Sequence, residues 1–438
     1  MNLISLILFV VANLSLVLWG MRSKGGIYQF PFWAGAISLG WFFPQAIGGF
    51  LSRDEFPLDS YSDSMFFAIL CIVAIWVGFV RADARRVEQS WLDAKFDLNR
   101  LYWAGVFLCL FGFFFQWKLW SLPEEMLAET QWSGAAVKYL FFASLFKVGF
   151  LTLWLIYLSQ GRLFSPRLLI FIVPCLLVIC SAALLRGRRA EMMNLVSYIL
   201  VSLWFVRRIS IPRGLLITGL AFGIVLVNAI GTYRAIMKDK EVPIKERLAE
   251  AANADYLSQT KESMDESGSE FKNYIFYRQA ITDTGFYDYG LKHWDRLVFN
   301  FVPAQIVGRE VKEALMLDFL EEVDIHAYAA EEYGHPRKTG STSTGFYDAF
   351  ASFGWFGFIK FLLIGSIMGA LHRHAMQGAF LAQMLYVYTL GTAMHAISHG
   401  THRILASTWV YFFMLGYPVF YLAMARDRAI HESAPMSK

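Results

Sequence analysis

Ser64-Met65-Phe66-Phe67-Ala68-Ile69-Leu70-Cys71-Ile72-Val73-Ala74-Ile75-Trp76-Val77-Gly78-Phe79-Val80 runs without a charged side chain between Asp63 and Arg81. A helix rises about 1.5 Å per residue, so such a run crosses most of a hydrocarbon core about 30 Å thick. Similar runs recur. They predict helices at about residues 3 to 20, 31 to 51, 64 to 80, 101 to 122, 137 to 158, 168 to 185, 192 to 206, 214 to 231, 350 to 371, 380 to 396 and 404 to 425, about eleven in all. The expected fold class is all-α, a polytopic membrane protein. Helices 1–8 fill residues 1–231, a large and partly helical outer loop fills 232–344, and helices 9–11 with a short cytoplasmic tail fill 345–438.

Composition agrees. The 438 residues are 56% hydrophobic and only 17% charged, with a mean hydropathy of +0.43, outside the range of a soluble globular chain. The first run, Leu3 to Gly20, has no Lys or Arg before it and no small-residue cleavage site after it, so it reads as a retained helix. Cys71, Cys109, Cys175 and Cys180 all fall in apolar runs, which argues against disulfides and thiolate metal sites. The net charge of +4 is modest, and no basic groove suggests nucleic acid.

The Asp63 and Arg81 flanks set a register for the whole chain. Basic short loops, such as Arg81/Arg85/Arg86 and Arg207/Arg208/Arg213, alternate with acidic ones, such as Asp54/Glu55/Asp59/Asp63 and Glu124/Glu125/Glu129. Basic loops stay in the cytoplasm, so the N-terminus is expected outside and the C-terminus inside. The segment from Thr232 to Thr344 then faces outward, with helices expected over Pro243 to Tyr256 and Ala304 to Glu322.

One outer loop breaks the rule: Leu185-Arg186-Gly187-Arg188-Arg189-Ala190-Glu191 sets three arginines where few belong. Guanidinium forks suit bidentate phosphate binding, and Arg234 follows the outer end of a neighbouring helix. A single outer arginine more often snorkels to lipid phosphate, but a cluster points to an anionic head group.

Two blocks carry a family resemblance. Leu184 to Glu191, with a later helix ending Gly231-Thr232-Tyr233-Arg234, is similar to an arginine-bearing helix pair. Ser341-Thr342-Ser343-Thr344-Gly345-Phe346-Tyr347-Asp348, then Phe353-Gly354-Trp355-Phe356-Gly357 and Gly365, is similar to a segment returning from a large outer loop. The chain thereby resembles the bacterial oligosaccharide repeat-unit polymerases (Wzy-type O-antigen polymerases), over less than half its length. The resemblance implies a glycosyltransferase of the bacterial inner membrane that joins undecaprenyl-pyrophosphate-linked glycans, with a chain-length regulator as a possible partner and no cofactor. The run of arginines departs from the family's single one, with Arg188 or Arg189 favoured as its match.

That chemistry needs cations at the leaving pyrophosphate, for which Arg186, Arg188, Arg189, Arg234 and Arg403 are candidates, and a base at the attacking hydroxyl. His326 and His335 stand first as base because imidazole titrates near working pH, with Asp348, Glu331 and Glu332 also available. A solvated loop histidine is the commoner case. Arg278, Arg309 and Arg337 are candidate cavity-lining contacts or ordinary surface charges. His395, His399 and His402 fall at helical spacing and would share one face if the helix persisted. As a metal site they would need a further ligand, so no metal is expected and His395 and His399 are candidate cavity lining. Lys147 and Lys360 sit inside apolar runs, facing a cavity or a packing partner.

Two rival readings remain at this stage. A transferase using a polyprenyl-phosphate sugar would place an acidic base in an early outer loop, where Asp54-Glu55 lies. A transporter or flippase for the same lipids would also want outer arginines, but no internal repeat is visible.

Overall fold

The computed structural model describes residues 1–86, 88–123, 135–160, 165–184, 189–212, 214–215, 218–219, 233, 236–237, 242–254, 269–302, 304–317, 324–336, 342–404 and 410–425. Among these residues every element is helical, apart from an antiparallel bridge between Phe96 and Met424. Six helical runs are long and apolar enough to cross a membrane: α1 Asn2–Arg22, α2 Phe30–Leu51, α3 Ser60–Asp83, α4 Leu98–Trp120, α5 Lys138–Ser159 and, later, Gly345–Met376.

Other expected spans form helices that are shorter or more polar. α6 Pro166–Leu184 contains Pro174, and α7 Arg189–Val196 opens on charged residues before an apolar run to Arg207. The helix expected over 214 to 231 lies almost wholly outside the described residues. Proline chemistry explains two local departures from α geometry. A proline lacks the N–H that would close a helical turn, and π turns precede both Pro44, at Ser38–Phe42, and Pro418, at Val410–Gly416.

The segment between the two membrane regions is more helical than its sequence suggested. It holds α8 Ile244–Asn253, α9 Ser269–Thr284, α10 Leu291–Phe301, α11 Arg309–Leu315 and α12 Ile325–Tyr333. The single helix expected over Ala304 to Glu322 is interrupted, because Gly308 turns the chain at φ 94° ahead of α11. α9 is part of the bundle core: Tyr274 donates to the Ser64 carbonyl at 2.6 Å, and the Phe271 N–H donates to Gln45 Oε1 at 3.1 Å. Its apolar side chains join one continuous hydrophobic core with the membrane runs.

Gly345–Met376 is divided into α13 Gly345–Phe353 and α14 Phe358–Met376, and α15 Phe380–Ser398 follows. The break is at Gly354, whose φ 55° and ψ −135° are open to glycine and costly for other residues. α14 lies against α3 at backbone distance: a Cβ on Gly365 would run into the carbonyl of Ile75, and one on Gly78 into that of Leu362. At the far end of the pair, His372 meets Asp83 at 2.9 Å and His374 meets Asp93 at 2.8 Å.

Candidate functional site

Asp348 sits in the first turn of α13, which Thr344 caps by accepting from the Tyr347 N–H at 3.2 Å. Its side chain is buried, and an ionised carboxylate there must be fully paired. Oδ2 accepts from the Thr401 N–H at 2.8 Å and from the Thr401 hydroxyl at 2.6 Å, and lies 3.1 Å from His293 Nε2. Oδ1 accepts from Arg296 Nη1 at 3.2 Å. Thr401 reaches this position because the chain turns at Gly400, where a Cβ would stand 2.7 Å from the His402 ring.

Hydrogen-bond bookkeeping assigns both imidazoles. The Thr401 hydroxyl gives its proton to Asp348, so at 3.0 Å it accepts from His293, which therefore carries its proton on Nε2. The other ring nitrogen, His293 Nδ1, is buried and has no hydrogen-bond partner among the described residues. Arg296 Nη1 lies 2.9 Å from His402 Nδ1 and can only donate, so His402 is a neutral ring protonated on Nε2. Burial and the Arg296 guanidinium push its pKa down to about 3.

Below Asp348, the break at Gly354 brings Lys360 of α14 back under α13. Its ammonium donates to Ser352 Oγ at 2.5 Å and to the Asp348 carbonyl at 3.3 Å, and Ser352 passes a hydrogen bond to Asp288 at 2.7 Å. Lys292 on α10 adds a further cation, lowered by burial against the pull of Asp288. Arg296, Lys360 and Lys292 thus gather around Asp348 and Asp288, with Asp324 also acting on Lys292.

His293, Asp348 and His402 hold ligand atoms within 4.8 Å of one another. They do not fit a metal centre. Arg296 already donates to two of these atoms, and the third, His293 Nε2, carries a proton and stands 3.3 Å from the Lys360 ammonium.

Of the residues singled out in the sequence, Asp348 lies at the centre of this cluster. His326 and His335 lie an aromatic layer away. Tyr347 packs 5.6 Å from Tyr277, whose ring is 4.4 Å from His326 and 5.7 Å from His335, and His335 Nε2 meets Asn273 at 2.8 Å. Arg278 lies away from the Asp348 cluster's polar contacts. It is 2% exposed, paired with Asp63 at 3.4 Å and held over Phe350 and Trp355. Arg309 is exposed and paired with Glu313 within α11. His395 and His399 stack at 4.6 Å, but His402 does not share their face, because α15 ends at Ser398 and Gly400 redirects the chain. Arg403 is exposed beside His402. Lys147 is held by Glu191 at 2.6 Å. Asp54 and Glu55 are exposed, and Glu55 pairs with Lys272. Arg186, Arg188, Arg234 and Arg337 lie outside the described residues, as does the side chain of Arg189.

His293, Arg296 and Lys292 were missed, although Leu291-Lys292-His293-Trp294-Asp295-Arg296 packs four ionisable side chains into one amphipathic turn and a half, a usable signal. Fold and site together describe an all-helical chain with membrane-spanning character and a buried Asp–His pair among cations at one end of its bundle. Comparison with protein-family models, with curated proteins and with solved structures finds no match for it.

Proposed function

We propose that the chain polymerises lipid-linked oligosaccharide repeat units on the outer face of a bacterial inner membrane. The glycan moves from undecaprenyl pyrophosphate to a hydroxyl of a second lipid-linked glycan. The observation that carries this reading is the Asp348–His293 pair: Asp348 accepts from the Nε2–H, and Nδ1 is left as a base with no partner among the described residues. In the proposed step the entering acceptor uncovers the buried His293 Nδ1, which takes the proton of the acceptor hydroxyl, and that oxygen bonds to the donor's anomeric carbon. The bond from that carbon to the pyrophosphate oxygen breaks, and the electron pair leaves with undecaprenyl pyrophosphate.

Arg296 and Lys360 supply preplaced positive charge, the form of stabilisation a departing pyrophosphate requires. Arg403 and the arginines of 186–189 and 234 would extend this charge towards the lipid phosphates. About eleven spans, an outward N-terminus and a cytoplasmic C-terminus belong to the same reading, because they put Asp348 on the side where such glycans are joined.

Deleting the gene in its host, restoring it as wild type or Arg296→Ala, and separating the glycan by length tests it. The reading predicts glycan capped at one repeat after deletion, a full ladder with wild type, and a lost or shortened ladder with the variant at equal protein level. An unchanged ladder in the deletion strain overturns polymerisation of that glycan. Loss of all lipid-linked glycan from the outer face supports a transporter instead.

A further inference from the structure

α10 and α11 form a folded-back arm. Trp294 Nε1 donates to the Leu315 carbonyl at 2.8 Å, Lys312 to the Phe299 carbonyl at 2.8 Å, and the Leu317 N–H to Asp295 Oδ1 at 2.8 Å. The arm is pinned at three points, yet it leaves large apolar side chains exposed: Trp294, Val311, Leu315 and Leu317 are 46, 51, 39 and 52% exposed. On α11 the pattern is two-sided. Val311 and Leu315 stand one turn apart, while Arg309, Glu310 and Glu313 occupy the other side.

The arm is continuous with the apolar flank of the membrane runs. Tyr289, just before α10, packs on Phe353 at 6.4 Å, next to exposed Phe356, Ile359 and Leu363 at the head of α14. At its other end Phe301 packs on Tyr411 at 5.7 Å. α10 therefore bridges the Phe353 end of α13 and the apolar Val410–Gly416 turn. Amphipathic helices with Trp and Phe on one side and charges on the other lie in the headgroup layer.

We infer that the α10–α11 arm docks into the interfacial layer of the bilayer leaflet at the Asp348 end, with Val311 and Leu315 directed into the lipid. The arm then fixes His293 and Arg296 at headgroup depth, so the site opens to molecules arriving laterally in that leaflet. This inference stands apart from the proposed glycosyl transfer, and its test does not depend on any activity.

The test uses the full chain in lipid vesicles, with a nitroxide placed through Val311→Cys, Leu315→Cys, Glu310→Cys or Glu313→Cys. Three native cysteines, Cys71, Cys109 and Cys175, are buried, and the labelled wild type gives the background. Collision with oxygen, which concentrates in lipid, is compared with collision with a water-soluble nickel chelate. Oxygen is expected to dominate several-fold at 311 and 315, and the nickel chelate at 310 and 313. Dominance of the nickel chelate at all four positions overturns the inference by placing the arm in water. Spin–spin broadening at 311 and 315 that disappears on dilution with unlabelled chain also overturns it, because a second copy would then be the occupant.

Discussion

Asp348 is the residue on which most of the described polar network depends. Asp348→Ala leaves the Arg296 charge without its acid; because Arg296 is 39% exposed and water can solvate it, the cost should fall below the about 3–5 kcal/mol of a fully buried pair that loses one partner. Asp348→Asn retains an acceptor for Thr401 and is expected to cost less, with thermal unfolding in detergent as the measurement. His402 gives a pH dependence of definite sign. Its folded pKa of about 3 lies below the unfolded value of about 6.5, so between these pH values the unfolded chain binds the extra proton. Stability is therefore lost as pH falls from above 6.5 towards 3. His402→Gln still accepts from Arg296 but does not titrate, and the drop in melting temperature between pH 7.5 and 4.5 should be smaller in this variant than in wild type.

The Gly354 break and the α3–α14 contact position that network from outside it. Gly354→Ala forces a side chain onto φ 55° and ψ −135°, costing about 1–3 kcal/mol, and shifts Lys360 from beneath α13. Its effect on activity is predicted to exceed its effect on stability, as read by comparing turnover with melting temperature. Gly365→Leu drives a side chain into the Ile75 carbonyl and should destabilise by about 1–3 kcal/mol or more, measured as a lower melting temperature with early aggregation. The element boundaries show what sequence conveys. α2, α3, α4 and α5 could be located within a few residues because long apolar runs need no tertiary information. α9 could not, since Ser269–Thr284 is buried on most sides by its neighbours and has no single apolar stripe. Its charges, Lys272 and Arg278, find partners in Glu55 and Asp63, more than two hundred residues away in the chain.

At the scale of the molecule, the same limit separates the legible part of the site from the rest. Asp348 was legible only as one available base at the return from the outer loop, behind His326 and His335. His293 was not, because its meaning comes from a contact that only the packing of α10 across α13 and the Gly400 turn creates. The face shared by His395, His399 and His402 was a reasonable expectation from spacing and failed because the helix stopped at Ser398. Glycan transfer from a lipid pyrophosphate is the reaction proposed for this assembled end of the bundle. It is tested most directly with purified chain in vesicles holding an undecaprenyl-pyrophosphate-linked glycan, by quantifying glycan dimer and released undecaprenyl pyrophosphate. Wild type should form the two in equal amounts, and His293→Ala should do so about 10²–10⁴-fold more slowly, with its fold intact by melting temperature. Equal rates for the two proteins, or neither product from folded wild type, would contradict it.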